Sequence, residues 1–188
     1  LHCKKNNFNT LNNLPNQLIK LDCTSNYIKS LDNLPFNLDY LHCTDNKITH
    51  LDNLPNKLTV LLCEYNNIKS LDHLPISITH LYCSRNKIKE LNLLPPNLLV
   101  LACERNNISN IDNLPVSLIN LHCSDNPIES FNFLPPQLKI LKLSNLNLVE
   151  NLPNSLIKLY YKENINIPDE HFKLIQKKYP NLNFTKCL

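Results

Sequence analysis

The sequence of 188 residues contains no glycine and no tryptophan. The absence of glycine excludes the glycine-rich loop that holds nucleotide phosphates through its backbone N–H groups. The sequence also has no uninterrupted apolar stretch close to the ~20 residues that a membrane-spanning helix requires. We therefore expect neither a nucleotide phosphate loop nor a membrane span.

The chain also has no large excess of either positive or negative charge. The chain has 19 Lys and Arg against 16 Asp and Glu, which gives a formal net charge of +3. Proteins that bind nucleic acids or anionic membranes present much larger basic patches. The charge therefore predicts no nucleic-acid partner and no membrane partner.

One pattern is repeated seven times with a period of 20 residues. Its first fixed position is the cysteine ladder, formed by Cys3, Cys23, Cys43, Cys63, Cys83, Cys103 and Cys123. Three residues later follows the asparagine ladder, formed by Asn6, Asn26, Asn46, Asn66, Asn86, Asn106 and Asn126. A Leu-Pro pair closes each unit. A fixed period in this range is typical of a solenoid, in which each repeat buries its apolar face against its neighbours.

The second unit illustrates the local structure that one repeat predicts. Residues 21–24 alternate between apolar and polar, as in a half-buried strand whose leucine and cysteine face inward. The amide of Asn26 can donate and accept hydrogen bonds, so stacked copies can satisfy the turn from one repeat to the next. Apolar residues then recur every third position over 28–34. Pro35 favours an extended or short 3₁₀ return over a long helix.

The motif L-x-x-L-x-C-x-x-N-x-I-x-x-L-x-x-L-P resembles the leucine-rich repeat, with cysteine in place of the third strand leucine. The short period and the Leu-Pro ending are most similar to the LPX repeats of bacterial effector proteins. Those repeats usually have proline where this chain has Asp or Asn, as in Leu31-Asp32-Asn33-Leu34-Pro35. The Cys-rich and Asn-rich composition also resembles repeat proteins of giant amoeba-infecting viruses. The origin, viral or bacterial, stays open.

The resemblance implies a leucine-rich repeat solenoid with a curved parallel β-sheet on its concave face and an extended or 3₁₀ convex side. We assign residues 1–164 to the array, with eight to nine strands including the seven regular repeats. The eighth unit has Leu146 in place of asparagine, and the ninth keeps Asn164. We assign residues 165–188 to a C-terminal cap. The cap has a helical pattern at 168–180 and a last strand at 181–184.

The seven ladder cysteines are interpreted as reduced, buried apolar residues, because disulfide frameworks rarely follow a strict translation. Only Cys187 lies outside the ladder. Free thiols predict a reducing compartment, which we take to be the host cytoplasm or another such space. The route of any secretion is left open.

The candidate site for a partner lies in the variable columns beside the ladders. Tyrosine and arginine flank small apolar residues there, a composition typical of binding hot spots. The predicted partner-binding residues are Tyr40, Val60, Leu62, Tyr65, His80, Tyr82, Arg85, Val100 and Arg105. The alternative interpretation is that these residues arose by random sequence divergence among the repeats, without selection for binding.

Catalytic and metal sites are not predicted. His2, His42 and His122 share one column, but His2 and His42 are two repeats apart, roughly 10 Å, too far for one ion with bonds of ~2 Å. A nucleophilic cysteine needs an accessible thiolate beside a base, whereas the ladder cysteines face inward. We therefore expect no cofactor, no metal and no enzyme.

The sequence thus predicts a non-enzymatic module that binds an unidentified protein on its concave face, in a virus–host or effector–host interaction. Two alternatives stay open. The chain is a structural protein that self-associates through its uncapped N-terminal edge, or the recognition part of a larger ubiquitin-ligase-like effector. That edge leaves a core end uncovered, and we favour a missing N-terminal segment over a second copy.

Overall fold

A computed structural model of the chain describes residues 1–129, 131–144, 152–162 and 169–187, with side chains omitted for 169–171 and 187. Nine parallel strands form one sheet in chain order, from β1 to β9. The strands are β1 (Lys20–Asp22), β2 (Tyr40–His42), β3 (Val60–Leu62), β4 (His80–Tyr82), β5 (Val100–Ala102), β6 (Asn120–His122), β7 (Ile140–Lys142), β8 (Lys158–Lys162) and β9 (Asn183–Cys187). In the described part of the chain, one helix, α1 (Asp169–Lys178), precedes β9. No helix among the described residues is long and apolar enough to cross a membrane.

The register of the sheet follows the period of the sequence. Leu21 pairs with Leu41, and each of the six steps between neighbouring strands from β1 to β7 is 20 residues. Between β7 and β8 the step shortens to 18, so Leu141 pairs with Leu159. Residues at the same repeat position therefore form straight columns across the sheet. The predicted solenoid is confirmed.

The strand leucines and the ladder cysteines build the core. Leu21, Cys23 and Ile28 are fully buried, and the same three positions are buried in the following repeats through Ile108. Together with the returning leucines they form one continuous cluster. The outward residues between them, such as Asp22, are half-buried. This alternation confirms the predicted half-buried strands with cysteine facing inward.

The return side is extended and contains isolated turns. In the second repeat the N–H of Leu38 donates to the carbonyl of Pro35 at 3.0 Å, and the equivalent bond closes each unit from Pro15 to Pro153. This bond joins residues three apart, as in a 3₁₀ turn. Proline opens the turn because its fixed φ suits it and its missing N–H is not required there. The predicted extended or 3₁₀ return is confirmed, with a turn of this kind after the proline of each repeat.

The asparagine ladder connects each repeat to the one before it. Asn46 Nδ2 contacts the carbonyl oxygens of Cys43 at 3.1 Å and Thr44 at 3.3 Å within its own repeat. It also donates to the carbonyl of Cys23 in the preceding repeat at 3.1 Å. Its Oδ1 accepts from the N–H of Ile28 at 3.0 Å. The equivalent four contacts form at Asn26, Asn66, Asn86, Asn106 and Asn126.

The second residue after each ladder cysteine adopts a left-handed backbone. These residues are Lys5, Ser25, Asp45, Tyr65, Arg85, Arg105 and Asp125, with φ between 53° and 58°. Glycine is the usual occupant of such a turn, but this chain has none. For other residues this conformation costs roughly 1–2 kcal/mol, and less for Asp and Asn. The tyrosine and the arginines at this position are therefore held in an unfavourable conformation.

Helix α1 and strand β9 form the C-terminal end of the solenoid. The Phe172 ring lies 6.1 Å from the Tyr161 ring and 5.2 Å from the Phe184 ring. Ile175 is buried, and Tyr179 Oη donates to the carbonyl of Leu152 at 2.9 Å. The predicted helix is confirmed, and the last strand begins two residues later than expected and continues the sheet as β9. The division at 164/165 and the positions of Leu146 and Asn164 lie outside the described residues, so the two-domain division stays a prediction.

The first repeat is less well buried than the rest. His2 forms an isolated bridge with Asp22, Cys3 is half-buried, and Asn6 is exposed. Asn6 donates to carbonyls of its own repeat, at Cys3 and Lys4. Self-association through this edge stays a prediction.

We expect Asn66→Ala to lower the free energy of unfolding by about 3 kcal/mol or more, because it leaves several buried backbone groups without partners. Urea denaturation followed by circular dichroism measures the loss. Asn67→Ala is the matched control, since no hydrogen bond of the Asn67 side chain occurs among the described residues. An equal effect of the two substitutions would contradict the role of the ladder.

Candidate functional site

The nine predicted partner-binding residues lie together in three columns of one surface, which we call the strand face. Tyr40, Val60, His80 and Val100 pair with one another across β2–β5 at the first strand position. Leu62 and Tyr82 pair at the third strand position. The third column lies just beyond the strand ends and contains Tyr65, Arg85 and Arg105.

Exposure differs between the columns. The six strand residues are half-buried, since their neighbours in the sheet cover their flanks. Tyr65, by contrast, is 51% exposed, and Arg85 and Arg105 are exposed too. The centre of the strand face is apolar, with Val60, Leu62 and the buried Ala102. An apolar centre with a polar margin is the arrangement found at protein interfaces.

Tyr65 and Arg85 stack on each other across neighbouring repeats. The Arg85 guanidinium carbon lies 4.7 Å from the centre of the Tyr65 ring. Such a cation–π contact is worth ~0.5–1 kcal/mol at an exposed site. It favours an arrangement in which the ring and the guanidinium lie against each other at the surface.

Tyr40 remains a neutral phenol over the physiological range. Burial raises its pKa, and the charges of Asp22 and Glu64 and the Tyr82 phenol raise it further. A neutral phenol can donate one hydrogen bond and accept others. Tyr40 can therefore act as an amphipathic contact between Asp22 and the apolar centre of the strand face.

One end of the strand face contains Asp22 between two histidines. His2 Nδ1 lies 3.4 Å from one carboxylate oxygen and His42 Nδ1 lies 3.9 Å from the other. Burial raises the pKa of Asp22, but hydrogen bonds from Thr24 and His2 and the charge of His42 outweigh it and lower the pKa. Within the described ranges no three His, Cys, Asp or Glu residues form a possible metal site.

The other end contains a charged cleft that the sequence interpretation missed. Arg105 Nε lies 3.1 Å from one oxygen of Asp125, and Lys162 Nζ lies 2.5 Å from the other. Lys142 Nζ lies 2.7 Å from Glu104 Oε1. The sequence did contain a signal for this cleft, because the position directly after the ladder cysteine is charged in some repeats, as at Glu104.

The carboxylate and the imidazole beside this cleft have shifted pKa values. Burial raises the pKa of Asp125, but hydrogen bonds from Lys162 and Arg105, and their charges, lower it below its usual range. Burial lowers the pKa of His122, Glu104 raises it, and Lys142 lowers it again, with a net decrease. At neutral pH, Asp125 is therefore ionised and His122 is neutral.

The cysteine ladder consists of free thiols from Cys3 to Cys123. Burial raises the pKa of the Cys23 thiol, as do the nearby Cys3 and Asp22, to about 12. Burial likewise raises the pKa of Cys123 to about 12, with a further increase from Glu104. A thiol at such a pKa forms almost no thiolate at neutral pH and is a poor nucleophile or metal ligand.

No protein-family model and no curated protein matches the sequence. Solved structures do match it. YopM from Yersinia enterocolitica is 28% identical, with a TM-score of 0.65 over 98% of this chain and 47% of its own. A Shigella effector leucine-rich repeat domain is 23% identical, with a TM-score of 0.68 over 99% of this chain and 80% of its own. The functional domain of InlJ from Listeria monocytogenes, which includes a cysteine ladder, is 20% identical, with a TM-score of 0.57 over 100% of this chain and 52% of its own.

The fold is a leucine-rich repeat solenoid. This conclusion confirms the fold class predicted from the 20-residue motif. The chain spans about half the length of YopM. Bacterial proteins of this repeat type are thus its structural neighbours, and the fold is typical of protein–protein interaction modules. The resemblance to giant-virus repeat proteins stays a prediction.

We expect the ladder thiols from Cys23 to Cys123 to resist alkylation by iodoacetamide at pH 8 while the protein is folded, because burial suppresses the thiolate. Peptide mass spectrometry after timed labelling measures the extent at each cysteine. Cys3, which is half-buried, is the internal reference and should react first. Modification of Cys63 as fast as Cys3 would show that burial does not protect the ladder thiols from the reagent.

We expect stability to fall as the pH decreases from about 7 through the folded pKa of His122, since the unfolded state, with a pKa of about 6.5, takes up its proton first. Urea denaturation at pH 7.5 and pH 5.0 measures the change. His122→Gln should reduce the difference between the two pH values, whereas His50→Gln, at an exposed residue, is the matched control. A pH dependence that is identical in all three proteins would exclude His122 as its source.

Proposed function

We propose that this chain is a non-enzymatic module that binds a protein partner on the strand face, the concave face of the solenoid. The observation that carries the proposal is the convergence of the nine candidate residues in three adjoining columns. They place three tyrosines and an apolar centre beside two exposed arginines. Aromatic and arginine side chains dominate the binding energy at protein interfaces.

The rigidity of the scaffold supports this function. Each strand from β1 to β6 is preceded by a proline turn and followed by a ladder asparagine that bonds to the neighbouring repeat. Binding to a face that is already ordered avoids the entropic cost of immobilising loops. The half-buried Tyr40 and Tyr82 lose little further rotamer freedom when a partner covers them.

The composition of the strand face favours a protein over other partners. The centre of the face is apolar rather than basic, and the chain has a net charge of only +3. The six deeply buried free thiols are compatible with a reducing compartment, so we place the interaction inside a host cell. The likeness to YopM and to a Shigella effector domain supports an effector–host interaction.

The test compares two double variants of the full chain. Tyr40→Ala with Tyr82→Ala removes the aromatic anchors of the strand face. Phe36→Ala with Ile76→Ala removes two side chains outside it that are 66% and 76% exposed, and serves as the control. Affinity capture from host-cell extract identifies partners, and titration calorimetry with the purified partner measures affinity.

We expect the strand-face variant to lose at least about tenfold in affinity, because hot-spot aromatic residues each contribute ~2 kcal/mol or more. The control should bind like the natural sequence. Melting curves of both variants confirm that the fold persists. Equal binding by the strand-face variant and the natural sequence would refute this surface as the site.

A further inference from the structure

The charged cleft at the end of the strand face has a defined volume and lining. It encloses about 190 Å³ at the carboxyl ends of β4–β8. It is lined by Ser84, Arg85, Glu104, Arg105, Ser124, Asp125, Lys142 and Lys162. Four of these side chains are cationic and two are anionic, which leaves an excess of two positive charges. The cleft thus has the electrostatic character of an anion site.

The two arginines of the cleft are the only arginines in the chain. They occupy the same position in adjacent repeats, about 4.8 Å apart by strand spacing. Arg105 contacts Asp125 through Nε, and its two terminal nitrogens form no hydrogen bond with a described residue. Arg85 makes no ion pair among the described residues and lies over Tyr65. Guanidinium donors from two adjacent repeats therefore remain available at the β4–β5 end of the cleft.

A buried hydroxyl in the same cleft points independently to a ligand. Ser124 is 2% exposed, and its Oγ has no hydrogen-bond partner among the described residues. An unsatisfied buried polar atom is destabilising, and such atoms are rare in folded proteins. Two other serines of its column are bonded, since Ser84 Oγ accepts from the N–H of Glu104 and Ser144 Oγ accepts from the N–H of Asp125. Ser124 thus has a free donor at the base of a cationic cleft.

We propose that this cleft binds a phosphate monoester carried by the protein partner, as on a phosphorylated serine or threonine. The inference rests on the proposed function and assigns the chemistry of its partner. A phosphate monoester carries a charge of about −1.5 to −2 at pH 7 and three strong acceptor oxygens. Two guanidinium groups and one hydroxyl supply donors for all three oxygens. A carboxylate has one oxygen and about one charge fewer, so it matches the cleft less well.

The chain provides a direct spectroscopic probe, because its two arginines give two Nε–H signals in a ¹H–¹⁵N spectrum. The test titrates the full chain with an alanine pentapeptide containing one phosphoserine. Matched titrations use the unphosphorylated peptide, the same peptide with glutamate, inorganic phosphate and a short oligothymidylate. We expect both Nε–H signals to shift with the phosphopeptide, and more weakly with the glutamate peptide.

Substitutions locate the binding. Arg85→Gln and Arg105→Gln should each weaken phosphopeptide binding by about tenfold or more, since each removes charge-assisted hydrogen bonds. Lys87→Gln removes the same charge two residues from Arg85, outside the cleft, and should change affinity by less than about threefold. Ser124→Ala should weaken binding without lowering the melting temperature, whereas a purely structural hydroxyl would lower it.

Four results of the peptide titrations would overturn the proposal. These are no shift with the phosphopeptide, equal shifts with the glutamate peptide, equal affinity for inorganic phosphate or oligothymidylate, and undiminished binding by both arginine variants. The proposed function fails separately, when Tyr40→Ala with Tyr82→Ala captures the same proteins as the natural sequence. Partner capture that survives both phosphatase treatment and Arg105→Gln would leave the protein-binding function standing and refute only the phosphate site.

Discussion

The asparagine amide is the interaction on which this molecule depends. Each buried ladder asparagine contacts carbonyls of two repeats and accepts an N–H from the earlier one, so it closes a turn and joins neighbouring units at once. A solenoid repeat has no contacts beyond its neighbours, so these junctions determine whether the array holds together. Replacing the amide would leave backbone carbonyl and N–H groups of both repeats without hydrogen-bond partners. Burying such groups unpaired is costly in free energy.

Burial within this fixed repeat determines which positions tolerate variation. Leucine, cysteine and isoleucine face a sealed core, where volume changes are costly. The nine candidate side chains of the strand face are half-buried or exposed, so tyrosine, histidine, valine and arginine are accommodated there. The charge of this face changes along the array, from Asp22 with its histidines, through an apolar centre, to the cationic cleft. A partner that spans the face thus meets three different chemistries in a fixed order.

The sequence was sufficient for the fold because its signals are local and repeated. The inward cysteines, the hydrogen-bonding asparagines, the proline turn and the helix with Phe172 all follow from residues within one unit. The cleft was missed because its pairs join different units. Arg105 meets Asp125 one repeat away, and Lys162 on β8 reaches the same carboxylate from two strands further along the sheet. The early Leu152-Pro153 pair indicates the shorter step in the sequence, but it does not indicate which side chains that step brings together.

The left-handed turn links stability to the candidate site. Because the chain has no glycine, this turn imposes a cost of roughly 1–2 kcal/mol on Tyr65, Arg85 and Arg105. Glycine or asparagine would relieve the strain but would present no side chain of that size or charge. The scaffold must therefore supply the compensating stability, and the four asparagine contacts at each junction do so. Strain held at positions that carry large exposed groups is typical of functional surfaces, and this is a physical reason to look for ligands there first.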